Sequence, residues 1–370
     1  MALALDAHPH AAAVLGAALA DGGRPAHAYL LHGPAGSGKR EAAREFAATL
    51  LARDASDPDG ARLRALHGSH PDLTWVVPSG AHEMLRRDVE EAVVGAAGRT
   101  PFEARHRVFV LEAADTMNDE AANALLKTLE EPPAYVVLLL LTDRVTQVLP
   151  TIASRCQHVR FDPLPPERLA ERLESRGVPP ETAVACARLG LGDAERALGL
   201  ALADGPALRA RAEAFARAPL HRASAAELPW RPLLEQARAL GAAAREGVEA
   251  ALAEELQFLP KKEHRRRETE FTERARRAER RAETAALDQA LQLAALWYRD
   301  LACVVAGAPE LAHHSDRLLQ LEQDAAGRDA ATLRRAVDLV EDTRARLVLN
   351  VSYELACEAL AYRLERSLAP

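Results

Sequence analysis

At 370 residues the chain exceeds one ordinary core and fits two or three domains. Apolar residues make up 48% and aromatic ones only 4%, while Ala, Leu, Arg and Glu dominate long stretches; these residues lose little rotamer freedom in helices, so a helix-rich protein is expected. A formal net charge of −7 excludes a surface that attracts nucleic acid as a whole, so any such contact must come from a local basic patch or from partner subunits.

The four cysteines, Cys156, Cys186, Cys303 and Cys357, form no C-x-x-C pair, which argues against a disulfide framework and against zinc. Reduced thiols are expected. The chain start lacks a basic segment followed by an apolar run, and the longest apolar run, residues 136–141, is too short to span a bilayer. The expectation is a cytoplasmic protein with no membrane contact.

In chain order, residues 1–162 alternate helical patterns with short apolar runs at 28–31, 73–77, 107–111 and 135–141. Such continuous runs read as strands covered on both faces, hence an α/β domain built on a parallel sheet. Pro163, Pro165 and Pro166 punctuate the chain, and 167–200 reads as short helices broken at 177–180 and 190–192, so 163–205 is read as a small helical lid. From 206 to 370 apolar residues recur at helical spacing, as in Leu287, Leu291, Leu296 and Leu301, or Leu347, Val351, Leu355 and Leu360. A third, all-helical domain is expected there, without a repeat of fixed period.

Between the first strand and the helix after it lies His32-Gly33-Pro34-Ala35-Gly36-Ser37-Gly38-Lys39-Arg40. Gly33, Gly36 and Gly38 let backbone N–H groups cradle phosphates, Ser37 lies within the turn, and Lys39 can reach phosphate oxygens at a helix start. This is a phosphate-binding loop with one part missing. The residue after Lys39 should carry a hydroxyl to ligate Mg²⁺, and a cationic Arg40 cannot do so. A second part is missing as well: the strand 107–111 should end in an acidic pair, and here Glu112 is followed by Ala113, with Asp115 further on. For Glu112 and Asp115, solvated residues at a strand end are as good a reading as catalytic ones.

The stretch Asn123-Ala124-Leu125-Leu126-Lys127-Thr128-Leu129-Glu130-Glu131-Pro132-Pro133, with Ser154-Arg155-Cys156, His70-Pro71-Asp72 and the phosphate loop, resembles the bacterial DNA polymerase III clamp-loader family. This AAA+ family comprises gamma/tau motor subunits and delta-prime. Trp297-Tyr298-Arg299-Asp300-Leu301 and residues 344–364 are similar to its helical collar. The resemblance implies an AAA+ domain (1–162), a lid (163–205) and an oligomerisation collar (206–370). It implies gamma/tau motors and delta as ring partners, with the sliding clamp and primed DNA met through the complex. It also implies a role for Arg155 in trans, as a finger on a neighbour's ATP, where a planar guanidinium offers paired donors to phosphate oxygens.

Within the family, motors carry a lid arginine in a Gly-Ser-x-Arg pattern where this chain has Gly192-Asp193-Ala194-Glu195, with Arg196 one position off. Many relatives also carry a four-cysteine zinc module where residues 52–69 have no cysteine. Arg40, Ala113 and Glu195 together resemble delta-prime, a stator that needs no cofactor, with residual ATP or ADP binding left open. An active gamma/tau-type ATPase and a stand-alone DNA-binding regulator are the alternatives. The last would use residues 261–281, which hold ten Lys or Arg against five Glu. This run reads as polar all round, a solvated helix stabilised by Glu/Arg pairs, with Arg267, Arg274 and Arg281 seven residues apart as the candidate nucleic-acid stripe.

Overall fold

The structure is a computed structural model and describes residues 5, 8–20, 22–80, 83–256, 261–347, 349 and 351–368; the side chains of Ala251, Glu254, Glu255, Glu270 and residues 261–267 lie outside this description. Two compact units result, one of residues 1–164 with 192–194 and one of residues 165–191 with 195–370.

The first unit is a five-stranded sheet of β1 (Ala28–His32), β2 (Leu73–Val76), β3 (Arg107–Leu111), β4 (Val136–Thr142) and β5 (Gln157–Arg160). The order is β2-β3-β4-β1-β5 and every pair is parallel, with Leu30 opposite both Leu140 and His158. All seven residues of β4 are buried, which is why its sequence does not alternate. On one face Tyr29, Leu31, Val110 and Leu139 pack against Leu15 of α1 (Pro9–Leu19) and Phe46, Leu50 and Leu51 of α2 (Lys39–Ala52). Leu30, Phe109, Leu138 and Leu140 bury the other face with Leu125 and Leu129 of a long helix that follows β3. A further helix, α3 (Pro58–Leu66), precedes β2 and is capped by Asp57, whose carboxylate accepts from Gly60 N.

The helix after β3, α4 (Asp119–Glu130), starts where Asn118 accepts from Ala121 N, with Asp119 and Glu120 favourably placed in its first turn. It stops just before Pro132 and Pro133. The four expected strands are present; β5 is a fifth that the sequence pattern misses. Only Val159 of its four residues is buried, so a polar edge strand leaves no apolar run to find.

The second unit contains α5 (Pro166–Glu174), α6 (Pro180–Leu189), α7 (Ala194–Ala201, whose first residue belongs to the first unit), α8 (Gly205–Leu220), α9 (Trp230–Leu256), α10 (Lys261–Val305), α11 (Leu318–Ala325), α12 (Ala330–Arg346) and α13 (Tyr353–Ser367). No strand occurs in it among the described residues. The breaks between α5, α6 and α7 fall at 175–179 and 190–193, where Gly177 and Gly192 take positive φ. These short helices share a compact unit with the C-terminal helices. Arg188 donates to the Glu310 and Ala312 carbonyls at 3.0 and 2.8 Å, and buried Arg209 makes a two-pronged pair with Asp316 at 2.7 and 2.8 Å.

Trp297 and Tyr298 lie at the centre of α10's buried face, and Tyr298 Oη donates to the Ala216 carbonyl at 2.7 Å. The start of α10 corrects the expectation of a helix polar all round. Phe271 and Ala275, four residues apart, are buried; Gly241 of α9 approaches so closely that a Cβ there would stand 2.7 Å from Glu283. A narrow seam of one Phe and small Ala residues is enough to pair two helices, and a charge count of the segment hides it.

Candidate functional site

The phosphate loop connects the end of β1 to the start of α2, as expected, and brings Gly33, Gly36, Ser37, Gly38 and Lys39 into one turn. Two glycines are required by geometry. A Cβ on Gly33 would stand 2.1 Å from the Phe161 carbonyl oxygen, and Gly38 caps α2 in the left-handed region at φ 88°. Lys39 does not point outward. It is 6% exposed, and its ammonium donates to the Gly33 and Pro34 carbonyls at 2.8 and 2.7 Å and to Asp143 Oδ1 at 2.8 Å. An ammonium has three protons, so its donors are spent inside the loop.

The next residue, Arg40, is also paired within the fold. Arg40 Nε lies 2.8 Å from Glu112 Oε1, Trp75 Nε1 also donates to Glu112, and the Arg40 and Arg44 guanidinium groups sit 6.0 and 5.0 Å from the Trp75 ring. The carboxylate at the end of β3 is therefore paired with the side chain that follows Lys39. Asp115 is used structurally too. It accepts from Thr142 Oγ1 at 2.8 Å and from Arg144 at 2.9 Å, tying the ends of β3 and β4 together. Ala113, where a second acidic residue is wanted, has φ 52°.

Arg155 lies elsewhere. It lies two residues before β5, which runs parallel to β1 with Gln157 opposite Tyr29, whereas the phosphate loop follows the far end of β1. The two are about 15 Å apart along the sheet at 3.3 Å per residue, beyond the reach of one side chain. Arg155 donates to Glu130 Oε1 at 2.7 Å and to the Thr151 carbonyl at 2.8 Å; its side chain is 36% exposed and that of Glu130 52%. The adjacent Cys156 is buried, and burial pushes its thiol up to about 12, so it is packing material and not a nucleophile. Glu195, at the place of a motor's lid arginine, is exposed at the start of α7.

One buried, loop-fixing carboxylate was visible in the sequence only as part of a resemblance. Asp72, fully buried, accepts from the backbone N–H groups of Phe102, Glu103 and Ala104 at 2.6, 2.9 and 3.0 Å. His70 Nδ1 accepts from Asp72 N at 3.1 Å, and His70 Nε2 lies 3.0 Å from Glu103. His70-Pro71-Asp72 thus fixes a loop that holds Phe102 83% exposed, a feature no local sequence signal announces.

Residues 7–165 match the model of a family described as DNA polymerase III, delta subunit. A DNA polymerase III subunit delta' of Pseudomonas aeruginosa is 41% identical over 175 residues, 45% of this chain and 53% of the relative. The subunit delta' of Bacillus subtilis is 35% identical over 164 residues, 43% of this chain and 49% of the relative. A subunit gamma/tau of Mycobacterium tuberculosis is 36% identical over 183 residues, 47% of this chain and 32% of the relative. The chain thus spans about half the length of the delta' relatives it matches. Residues 7–165 are thus similar to the DNA polymerase III delta-subunit family, and they contain the parallel sheet that carries a phosphate loop after its first strand.

Proposed function

We propose that this chain is a clamp-loader stator of the delta-prime kind, an accessory subunit that hydrolyses nothing itself. It joins gamma/tau motors and delta in a cytoplasmic heteromeric ring, through a collar at 206–370, and serves the loading of a sliding clamp on primed DNA. In that ring Arg155 is the finger offered to the ATP of an adjacent motor. Among the described residues no helix is long and apolar enough to cross a membrane, in keeping with this reading.

The observation that carries the proposal is the Arg40–Glu112 pair beside a Lys39 already bonded to Asp143. Mg²⁺ has neither a hydroxyl ligand nor a free carboxylate there, and a cation stands where it would bind. The chain accordingly needs no cofactor and no zinc. Nucleotide could enter only by drawing Lys39 away from Asp143, which leaves residual ATP or ADP binding without activation.

The reading is tested by purified protein alone and in a ring reconstituted with motor and delta subunits. Alone, it should show no ATP turnover above background; with the others, it should co-elute as one assembly. Turnover by the isolated chain that disappears in Lys39→Ala would reject the stator in favour of a gamma/tau-type ATPase, and failure to co-assemble would reject the ring role.

A further inference from the structure

Of the arginine row read from the sequence, the Arg267 side chain lies outside the described residues and Arg281 is partly buried. The same helix does line a cavity. A hollow of about 130 Å³ lies where α9, α10 and the start of α13 meet, lined by apolar Leu234, Ala237 and Leu287 and by polar Arg238, Glu283 and Tyr353. All of these residues belong to the helical unit. Gly241 makes room for the site: a Cβ there would stand 2.7 Å from Glu283 Cγ and 3.3 Å from its carboxyl carbon, so the glycine lets the Glu283 side chain lie against α9. Leu234 and Gly241 are two turns apart on α9, and Glu283 and Leu287 one turn apart on α10, which puts the carboxylate and its apolar neighbours along one groove.

Glu283 is the member of this lining without a partner. Among the described residues its carboxylate makes no hydrogen bond and no ion pair, because the cations around it are engaged elsewhere. Arg238 reaches Glu354 at 3.6 Å, Arg245 reaches Glu249 at 2.8 Å and Glu279 at 3.6 Å, and the Arg280 guanidinium lies 5.2 Å from the Tyr353 ring. The nearby hydroxyls are engaged too, Tyr353 Oη by Thr284 Oγ1 at 2.6 Å and Ser352 Oγ by Leu355 N at 3.4 Å. Burial, followed by repulsion from Glu279, pushes the Glu283 carboxyl above its ordinary range despite Arg280 and Arg238. A partly buried carboxylate left without a partner is unfavourable, and a bound cation would relieve it. That cation is not a metal ion. Glu354 is the other carboxylate of the lining and is taken by Arg238, and no group of three His, Cys, Asp or Glu among the described residues is arranged to hold a metal.

We propose that this cavity binds a small primary alkylammonium ion, with Glu283 as its counter-charge and Leu234, Ala237 and Leu287 packed on its hydrocarbon chain. The size fits. An apolar cavity of about 150 Å³ takes a benzene-sized molecule, so about 130 Å³ takes roughly five or six non-hydrogen atoms. An ammonium brings three donors and no acceptor, which suits a carboxylate whose lone pairs are free, and the resulting hydrogen bond is charge-assisted. A neutral ligand of the same size would leave the carboxylate without its counter-charge, and an anion would be repelled by it. The site shares no residue with the phosphate loop or with Arg155, so it goes beyond the stator reading and does not depend on it.

The test is a saturation-transfer NMR titration of the isolated full chain with n-butylamine, and with n-butanol and butyrate as probes of the same size and different charge, folding being checked by circular dichroism. Wild type should bind n-butylamine with a Kd of about 1 mM, well within what five non-hydrogen atoms allow, and the other two about tenfold or more weakly. Glu283→Gln keeps the shape and removes the charge; it should weaken n-butylamine about tenfold or more and leave n-butanol unchanged. Gly241→Ala should act in the same direction by pushing the Glu283 side chain aside. Glu246→Gln, at an exposed glutamate of α9, should change nothing. No saturation below about 20 mM, equal affinities of wild type and Glu283→Gln, or equal affinities for n-butylamine and n-butanol would overturn the proposal. Binding of acetyl-lysine methylamide with none of n-butylamine would overturn it in favour of a lysine side chain from another chain. Ring assembly and ATP hydrolysis are not read in this experiment, so its failure leaves the stator reading standing.

Discussion

The two ends of one sheet use charge in opposite ways. At the end where the phosphate loop lies, Lys39, Arg40, Glu112, Asp115, Asp143 and Arg144 are joined in short internal pairs, and Lys39 is all but excluded from solvent. At the other end Arg155 is held by one half-exposed carboxylate and one carbonyl. A saturated cation costs several kcal/mol to redirect, whereas a surface pair is worth about 0–1 kcal/mol and exchanges readily. The charges of the loop are turned inward, whereas Arg155 is held only by surface contacts.

The sharpest way to break this contrast is Arg155→Ala. In the isolated chain it should change stability by no more than about 1 kcal/mol, since only a surface pair and one hydrogen bond are lost. In a reconstituted ring, single-turnover hydrolysis at the adjoining motor site should fall by about 10³-fold. Arg155→Lys should recover only part of this, because an ammonium keeps the charge but not the planar fork. Unchanged hydrolysis in an intact ring containing the alanine variant would remove the trans role.

Buried, saturated charges should behave in the reverse way, with large effects on stability and none on the ring's chemistry once folded. Asp72→Ala strips three backbone N–H groups of their acceptor and should cost about 3 kcal/mol, read as a shift in the urea midpoint. Lys39→Met should cost about 2 kcal/mol by leaving two carbonyls and Asp143 without their donor. A Lys39→Met protein of unchanged stability whose ring hydrolyses ATP more slowly would mean that Lys39 is poised for phosphate after all.

How much of this was legible in the sequence follows the range of the interactions. Gly33, Gly38 and Lys39 announced the loop because its backbone demands them, and the apolar runs of β1 to β4 announced a sheet buried on both faces. The pairs that close the loop were not legible: Lys39 and Asp143 are 104 residues apart, and each looks like a free surface charge until the fold brings them together. Arg40 could be read as the loss of a ligand, but not as a new partner for Glu112. Strand β5 lacked an apolar run, and the Phe271/Ala275 seam was diluted by ten surrounding cations.

The helical unit offers a pH test of the same rule. Asp300 is fully buried; burial alone would raise its pKa, but hydrogen bonds from His313 and His314 outweigh it and hold the carboxyl well below the usual range. A depressed carboxylate contributes stability that is fully present above its unfolded pKa, about 3.9, and is lost as pH falls through the folded value. The stability gap between wild type and Asp300→Asn should therefore be constant from about pH 7 to 5 and narrow below about pH 4. A gap that stays constant down to pH 3 would show that packing around Asp300, and not its charge, does the stabilising.

The smallest expected effect is the most informative about Arg155. If Glu130 only parks the guanidinium, Glu130→Gln replaces a charged acceptor by a neutral one at the same distance and removes at most about 1 kcal/mol of holding energy. Chain stability should then move by less than about 0.5 kcal/mol, and hydrolysis at the adjoining site should stay equal or rise by up to about fivefold, the factor that 1 kcal/mol allows. Raising salt should mimic the substitution in wild type and leave Glu130→Gln less affected, because a half-exposed pair is screened. The opposite result is equally readable. Were Glu130→Gln to slow hydrolysis as Arg155→Ala does, with assembly intact, Glu130 would be the residue that aims Arg155 across the subunit boundary. The ion pair at 2.7 Å would then belong to the working geometry and not to the resting one.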